Sequence, residues 1–143
     1  MDAREPAARQ YALGALARQE AGLTDFLVAE FGGVIVGSGE LTTTDPAEFK
    51  SLSVDASARG QGVGSAIIAA AERVVEERAD RATGRARHLV VGVGVDNPRA
   101  AALYERLGFV RTGVVSTTTY EYVDDEGATR TATETDEELI RVW

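Results

Sequence analysis

The sequence has no cysteine, one histidine (His88), one lysine (Lys50), one tryptophan and three prolines in 143 residues. Each scarcity excludes a chemistry. Without cysteine there is no disulfide, no thiolate metal site and no cysteine nucleophile. One histidine cannot build a His-rich metal site, and a Ser-His-Asp triad would have to be centred on His88. No metal is expected. Positive charge is short as well: 15 Lys and Arg oppose 23 Asp and Glu, a net charge of -8. Contact with nucleic acid or an anionic membrane is therefore not expected. No apolar run approaches the roughly 20 residues of a membrane span. Residues 1–9 alternate charge with alanine and lack the apolar stretch of a secretion signal. These features predict a cytoplasmic chain. At 44% hydrophobic and 27% charged, the composition suits one globular domain over residues 1–143.

What is present reads as an alternation of strands and helices. Residues 6–21 have helical spacing, with Pro6 in the first turn. Residues 25–30 and 34–42 are short apolar runs joined by Gly32-Gly33, a hairpin signal. Residues 49–54 form a third strand, with Phe49, Ser51 and Ser53 on one face and Lys50, Leu52 and Val54 on the other. After a glycine-rich turn, residues 63–79 carry Ile67, Ala71 and Val74 at helical spacing. HLVVGVGV, 88–95, has no polar alternation and predicts a central strand buried on both faces. Asn97-Pro98 is an N-cap followed by Pro at N1, and Gly108 ends that helix. Residues 109–123 form a long strand, 124–127 an acidic turn and 138–143 a last strand. The fold class is α/β, a mixed sheet with helices on its faces.

Arg59-Gly60-Gln61-Gly62-Val63-Gly64-Ser65 joins the third strand to a helix N-terminus. Alternating glycines free the backbone to bend. The exposed N–H groups and the helix dipole suit an anion such as a diphosphate, and Arg59 adds a fixed charge. A connection that binds nothing is the plain alternative. The spacing G-x-G-x-G is not the dinucleotide fingerprint G-x-G-x-x-G, and no lysine is available for a phosphate-binding P-loop.

Arg59-x-x-Gly62-x-Gly64 resembles the acetyl-coenzyme A signature of the GCN5-related N-acetyltransferase (GNAT) family. Asn97, Leu103-Tyr104 and Gly108-Phe109 stand where that family carries an Asn, a Leu-Tyr pair and a Gly-Phe. Together the two blocks cover about 52–113. The resemblance implies a mostly antiparallel sheet whose central parallel pair splays to admit the cofactor. The family's usual first strand is not evident before the initial helix, so a shortened N-terminus is expected.

The resemblance also implies the chemistry. Acetyl-CoA would be held by Leu52, Ser53, Val54, Arg59, Gly60, Gln61, Gly62, Val63, Gly64, Ser65, Asn97 and Tyr104. Tyr104 would be the general acid for the leaving thiolate, and the Val54 N–H an oxyanion donor. Glu48 is the candidate general base, with Glu40 and Glu30 as competitors. His88 reads as structural. The acidic runs 124–126, 134 and 136–138 read as solvated surface, or as a lure for a cationic amine. The expected activity is transfer of an acetyl group to a small-molecule or peptide primary amine by direct attack in a ternary complex. The alternative is an inactive acyl-CoA sensor on the same fold. A homodimer is left open.

Overall fold

The computed structural model describes residues 19–81, 84 and 87–143. The helix expected over 6–21 lies outside them except for its last three residues, of which Gln19 and Glu20 are helical and Ala21 is already in a turn. Any strand before that helix lies outside them too. The described elements are β1 (Thr24–Phe31), β2 (Val34–Thr42), β3 (Ala47–Val54), α1 (Val63–Arg81), β4 (His88–Gly94), α2 (Pro98–Arg106), β5 (Val110–Val123) and β6 (Thr129–Val142). They form one six-stranded mixed sheet in the order β1-β2-β3-β4-β6-β5.

Every neighbouring pair is antiparallel except β3 with β4. That parallel pair is the product of the β3-α1-β4 crossover. It is also short: Ala47, Glu48 and Phe49 face Leu89, Val90 and Val91, and the pairing stops there. From Lys50 onward β3 pairs only with β2. The sheet therefore opens at its centre.

The opening coincides with a bulge. Ser38 pairs with Ser53 and Glu40 with Lys50, which leaves Gly39 opposite both Ser51 and Leu52. Two residues against one bend the longer strand, and Ser51 takes the left-handed backbone at φ 61°. This overturns the strict alternation expected along β3. Ala47 and Phe49 are buried, but past the bulge Leu52 and Val54 are the half-buried residues and Ser51 and Ser53 are exposed. Ala47 and Phe49 join Ile67, Ile68, Ala71 and Val75 of α1 in one core with Leu89, Val91, Tyr104 and Leu139.

Two other expectations change. β4 buries Leu89, Val91 and Val93, while Gly92 is exposed and Gly94 half-buried, so its second face is not sealed. The last strand starts at Thr129, not at 138. Its first half pairs with β5 from Val115 to Val123 and forms a two-stranded arm that runs past the end of β4. At the other end β6 is fastened to α1 by an Arg141–Glu72 ion pair and by Trp143 Nε1 donating to Glu76 Oε1 at 2.7 Å. No helix among the described residues is long and apolar enough to cross a membrane.

Candidate active site

The turn before α1 is built to present backbone donors. Gly60 (φ 75°) and Gly62 (φ 81°) hold left-handed backbone, which glycine alone adopts without strain. The first-turn N–H groups of Val63, Gly64 and Ser65 have no partner further back in the helix. Ala66 N–H is the first to bond back, to Gly62 O at 3.0 Å. Arg59 is oriented by its Nε, which donates to Val54 O at 3.2 Å.

A cavity of about 410 Å³ opens in front of this turn. Leu52, Val54, Arg59, Gly60 and Gly62 line it, with Val63, Gly64 and Ser65 of the first helical turn. Arg99 and Arg106 line its other side. They are seven residues apart on α2, two helical turns, and so share a face. Among the described residues none of these three arginines is in an ion pair. Three unpaired cations around one cavity, in a chain of net charge -8, make a site for a polyanion.

A second cavity of about 240 Å³ fills the gap between β3 and β4. Ser51, Leu52, Gly92, Asn97, Tyr104 and Glu134 are among its walls. Leu52 and Leu103 line both cavities, so the two form one groove from the arginines to the sheet opening. Asn97 caps α2, its Oδ1 accepting from Ala100 N–H at 3.2 Å, and Pro98 is the first helical residue. The cap fixes the helix start and with it the position of Tyr104 two turns on. Tyr104 is 6% exposed and packs edge-on against Phe109, ring centroids 5.3 Å apart. Burial pushes its hydroxyl up to about 12, because a phenolate loses more hydration there than a phenol. Among the described residues, Thr24 Oγ1 is the side-chain polar atom sealed without a partner. The Tyr104 hydroxyl has no described partner either, so it opens on the cavity its ring lines.

A family model described as the acetyltransferase (GNAT) family matches residues 2–109. The chain belongs to that family. No curated protein matches the sequence. Among solved structures, the PaiA N-acetyltransferase of Thermoplasma acidophilum in complex with coenzyme A superposes with a TM-score of 0.66 at 17% identity, over 95% of this chain and 72% of that one. The ribosomal-protein-S18-alanine N-acetyltransferase of Escherichia coli gives 0.61 at 22%, over 90% and 75%. The IAA acetyltransferase of Bacillus cereus gives 0.61 at 23%, over 97% and 87%. At these identities the likeness establishes the GNAT fold, with its splayed parallel pair.

The residues expected at the site divide by position. Leu52, Val54, Arg59, Gly60, Gly62, Val63, Gly64 and Ser65 line the larger cavity, and Asn97 and Tyr104 the smaller. Ser53 pairs with Ser38 of β2 and lines neither. Gln61 turns back, its Nε2 donating to Ser57 O at 3.3 Å. Glu48 sits in the closed part of the β3–β4 pair, is exposed, and receives no place in either lining. Its backbone N–H donates to Thr42 Oγ1 at 2.8 Å. Glu40 is fully buried, and Glu30 is exposed on β1. His88 opens β4 away from both cavities.

Arg99 and Arg106 carry no sequence expectation as site residues, and Glu134 is expected only as solvated surface or as a lure for a cationic amine. The seven-residue spacing of the two arginines was the available signal. Glu134 comes from β6, thirty residues beyond Tyr104. Its carboxyl is held above the usual range, first by the charge of Asp136, then by burial and by its hydrogen bond to Asp136, with Asp96 adding to the repulsion.

Proposed function

We propose that this GNAT protein transfers the acetyl group of acetyl-CoA to a primary amine by direct attack in a ternary complex. The observation that carries the reading is the single groove joining three unpaired arginines and the glycine turn to the buried Tyr104 in the sheet opening. The diphosphate would lie on the first-turn N–H groups of α1, with Arg59, Arg99 and Arg106 around it. The thioester arm would follow Leu52 and Leu103 into the gap, and the Val54 N–H remains the proposed donor to the carbonyl oxygen.

Acetyl-CoA supplies an activated acetyl thioester. The attacking amine nitrogen bonds to the carbonyl carbon while the carbon–sulfur bond breaks. Tyr104 gives its hydroxyl proton to the departing sulfur. The cavity lining favours Glu134 over Glu48 as the group that takes the amine proton. Repulsion from Asp136 and Asp96 makes its carboxylate a stronger base than an isolated one.

The test is a melting experiment followed by turnover. CoA at about a hundred times its Kd should stabilise the fold by about 2.7 kcal/mol, and NAD and ATP should do much less. Arg106→Ala should weaken CoA binding about tenfold, the worth of one charge-assisted hydrogen bond. Thiol release with an amine then establishes transfer. Stabilisation by CoA without thiol release from a broad amine panel would make the protein an acyl-CoA sensor. Glu134→Gln should lower kcat about tenfold and remove the rise of rate with pH, a limb placed above the ordinary carboxylate range by the raised Glu134 pKa. Glu48→Gln should leave that limb in place. The opposite result returns the base role to Glu48.

A further inference from the structure

Lys50 is the only lysine of the chain, and it stands at the sheet opening. It is the first residue of β3 past the last pairing with β4, one residue before the left-handed Ser51. The register fixes its side. Phe49 and Val91 face each other and are buried in the core with Ile67 of α1. By alternation Lys50 projects from the opposite face of the sheet. Gly92 and Gly94 of β4 lie on that face too, with Glu138 and Asp136 of β6 beside them. Lys50, Gly92, Gly94, Glu134 and Tyr104 all line the gap cavity. The two glycines place no side chain in the space that the lysine reaches.

The ammonium is also uncommitted. Lys50 is exposed, whereas Glu40, its neighbour across β2, is fully buried. Among the described residues Lys50 is in no ion pair. The other cations of the groove, Arg59, Arg99 and Arg106, are guanidiniums that keep their protons and so are no nucleophiles. A lysine can lose a proton and then attack a carbonyl. The one side-chain amine of the chain thus lines the cavity in which the thioester arm would end.

We propose that Lys50 is a site of self-acetylation, modified when acetyl-CoA is bound and no acceptor fills the gap. The inference rests on the transferase reading for the acetyl donor and for the role of Tyr104. Lys50 Nζ, neutral after one proton has left to solvent, bonds to the carbonyl carbon while the carbon–sulfur bond breaks. Its second proton passes to Glu134, and Tyr104 protonates the departing sulfur. The products are free CoA thiol and an amide on Lys50. That amide has lost the charge of the ammonium, and it is too weak an acyl donor to pass the group on. It occupies the acceptor's place and shuts the site.

The protein is incubated with acetyl-CoA alone and followed by intact mass and peptide mapping. One acetyl group should appear on Lys50, at a fraction independent of protein concentration, and an added amine should slow its appearance. Thiol release with that amine should be severalfold lower after the incubation than before it. Tyr104→Phe should slow the labelling about a hundredfold. Lys50→Arg should lose the label and keep its own rate of thiol release through the same incubation. Labelling of Lys50 as fast in Tyr104→Phe, or in the urea-unfolded chain, as in the native protein would be plain chemical acetylation and overturns the inference. A labelled fraction that climbs with protein concentration overturns it as well. Thiol release with an amine while Lys50 stays unmodified keeps the transferase and removes self-acetylation. Neither label nor thiol release removes both.

Discussion

Tyr104→Phe should lower kcat about a hundredfold, the usual worth of one positioned proton donor, and leave the KM for acetyl-CoA unchanged. The substitution removes one oxygen. The ring keeps its burial and its edge contact with Phe109, so the helix and groove should persist. The loss should fall on kcat because proton donation to sulfur is needed only as the carbon–sulfur bond breaks. A fall in KM-controlled binding with kcat intact would assign Tyr104 to cofactor packing, and unchanged turnover would remove it from the chemistry.

The same hydroxyl carries a pH signature. With its pKa pushed up to about 12 by burial, Tyr104 stays protonated through the neutral and mildly alkaline range and imposes no falling limb on the rate there. It also bears on stability. Between the ordinary value of about 10 and the folded value, the unfolded chain has released this proton and the folded chain has not. Stability therefore falls as pH rises through that window, by about 1.4 kcal/mol per pH unit. Tyr104→Phe should flatten that slope, as denaturant midpoints measured at alkaline pH would show.

How much of this was legible in the sequence depends on how local each feature is. The glycine turn, the Asn97-Pro98 cap and the position of Tyr104 are fixed by neighbours a few residues away, and the strand and helix order follows from them. The arm was only half visible. Residues 128–137 contain no large apolar side chain, and the alternation of Thr129, Thr131, Thr133 and Thr135, β-branched residues on one face, is the sign of a strand there. Ser51 is a non-glycine residue in left-handed backbone, which no local pattern announces. Arg99 and Arg106 share a helix face by spacing alone, but only the tertiary packing turns that face to the glycine turn. Glu134 reaches the gap through the register of β6 on β4, in which Asp136 meets Gly94. A contact set by the register of residues as far apart as Gly94 and Asp136 has no signature in any short window.

Gly39→Ala should destabilise the fold by about 2–3 kcal/mol, at the upper end for overpacking a core, and lower the melting temperature by about 5–10 °C. The backbone at Gly39 is not left-handed, so the cost is one of space. A Cβ there would stand 2.2 Å from Phe49 Cζ and 2.6 Å from Cε2. Phe49 is 1% exposed and belongs to the same core as Leu41, Ile67 and Val91, so its ring cannot swing aside without displacing them. The consequence reaches the site. Phe49, Lys50 and Ser51 line the gap cavity, and Gly39 stands opposite the bulge that opens it. Pushing the ring should therefore narrow or tilt the opening, and kcat should fall along with stability. Combining Gly39→Ala with Phe49→Leu separates the two effects, because residues in contact do not add. The double variant should melt higher than the sum of the single effects predicts, since the smaller side chain makes room for the new methyl. Strict additivity would mean that the ring of Phe49 is not what requires glycine at this position.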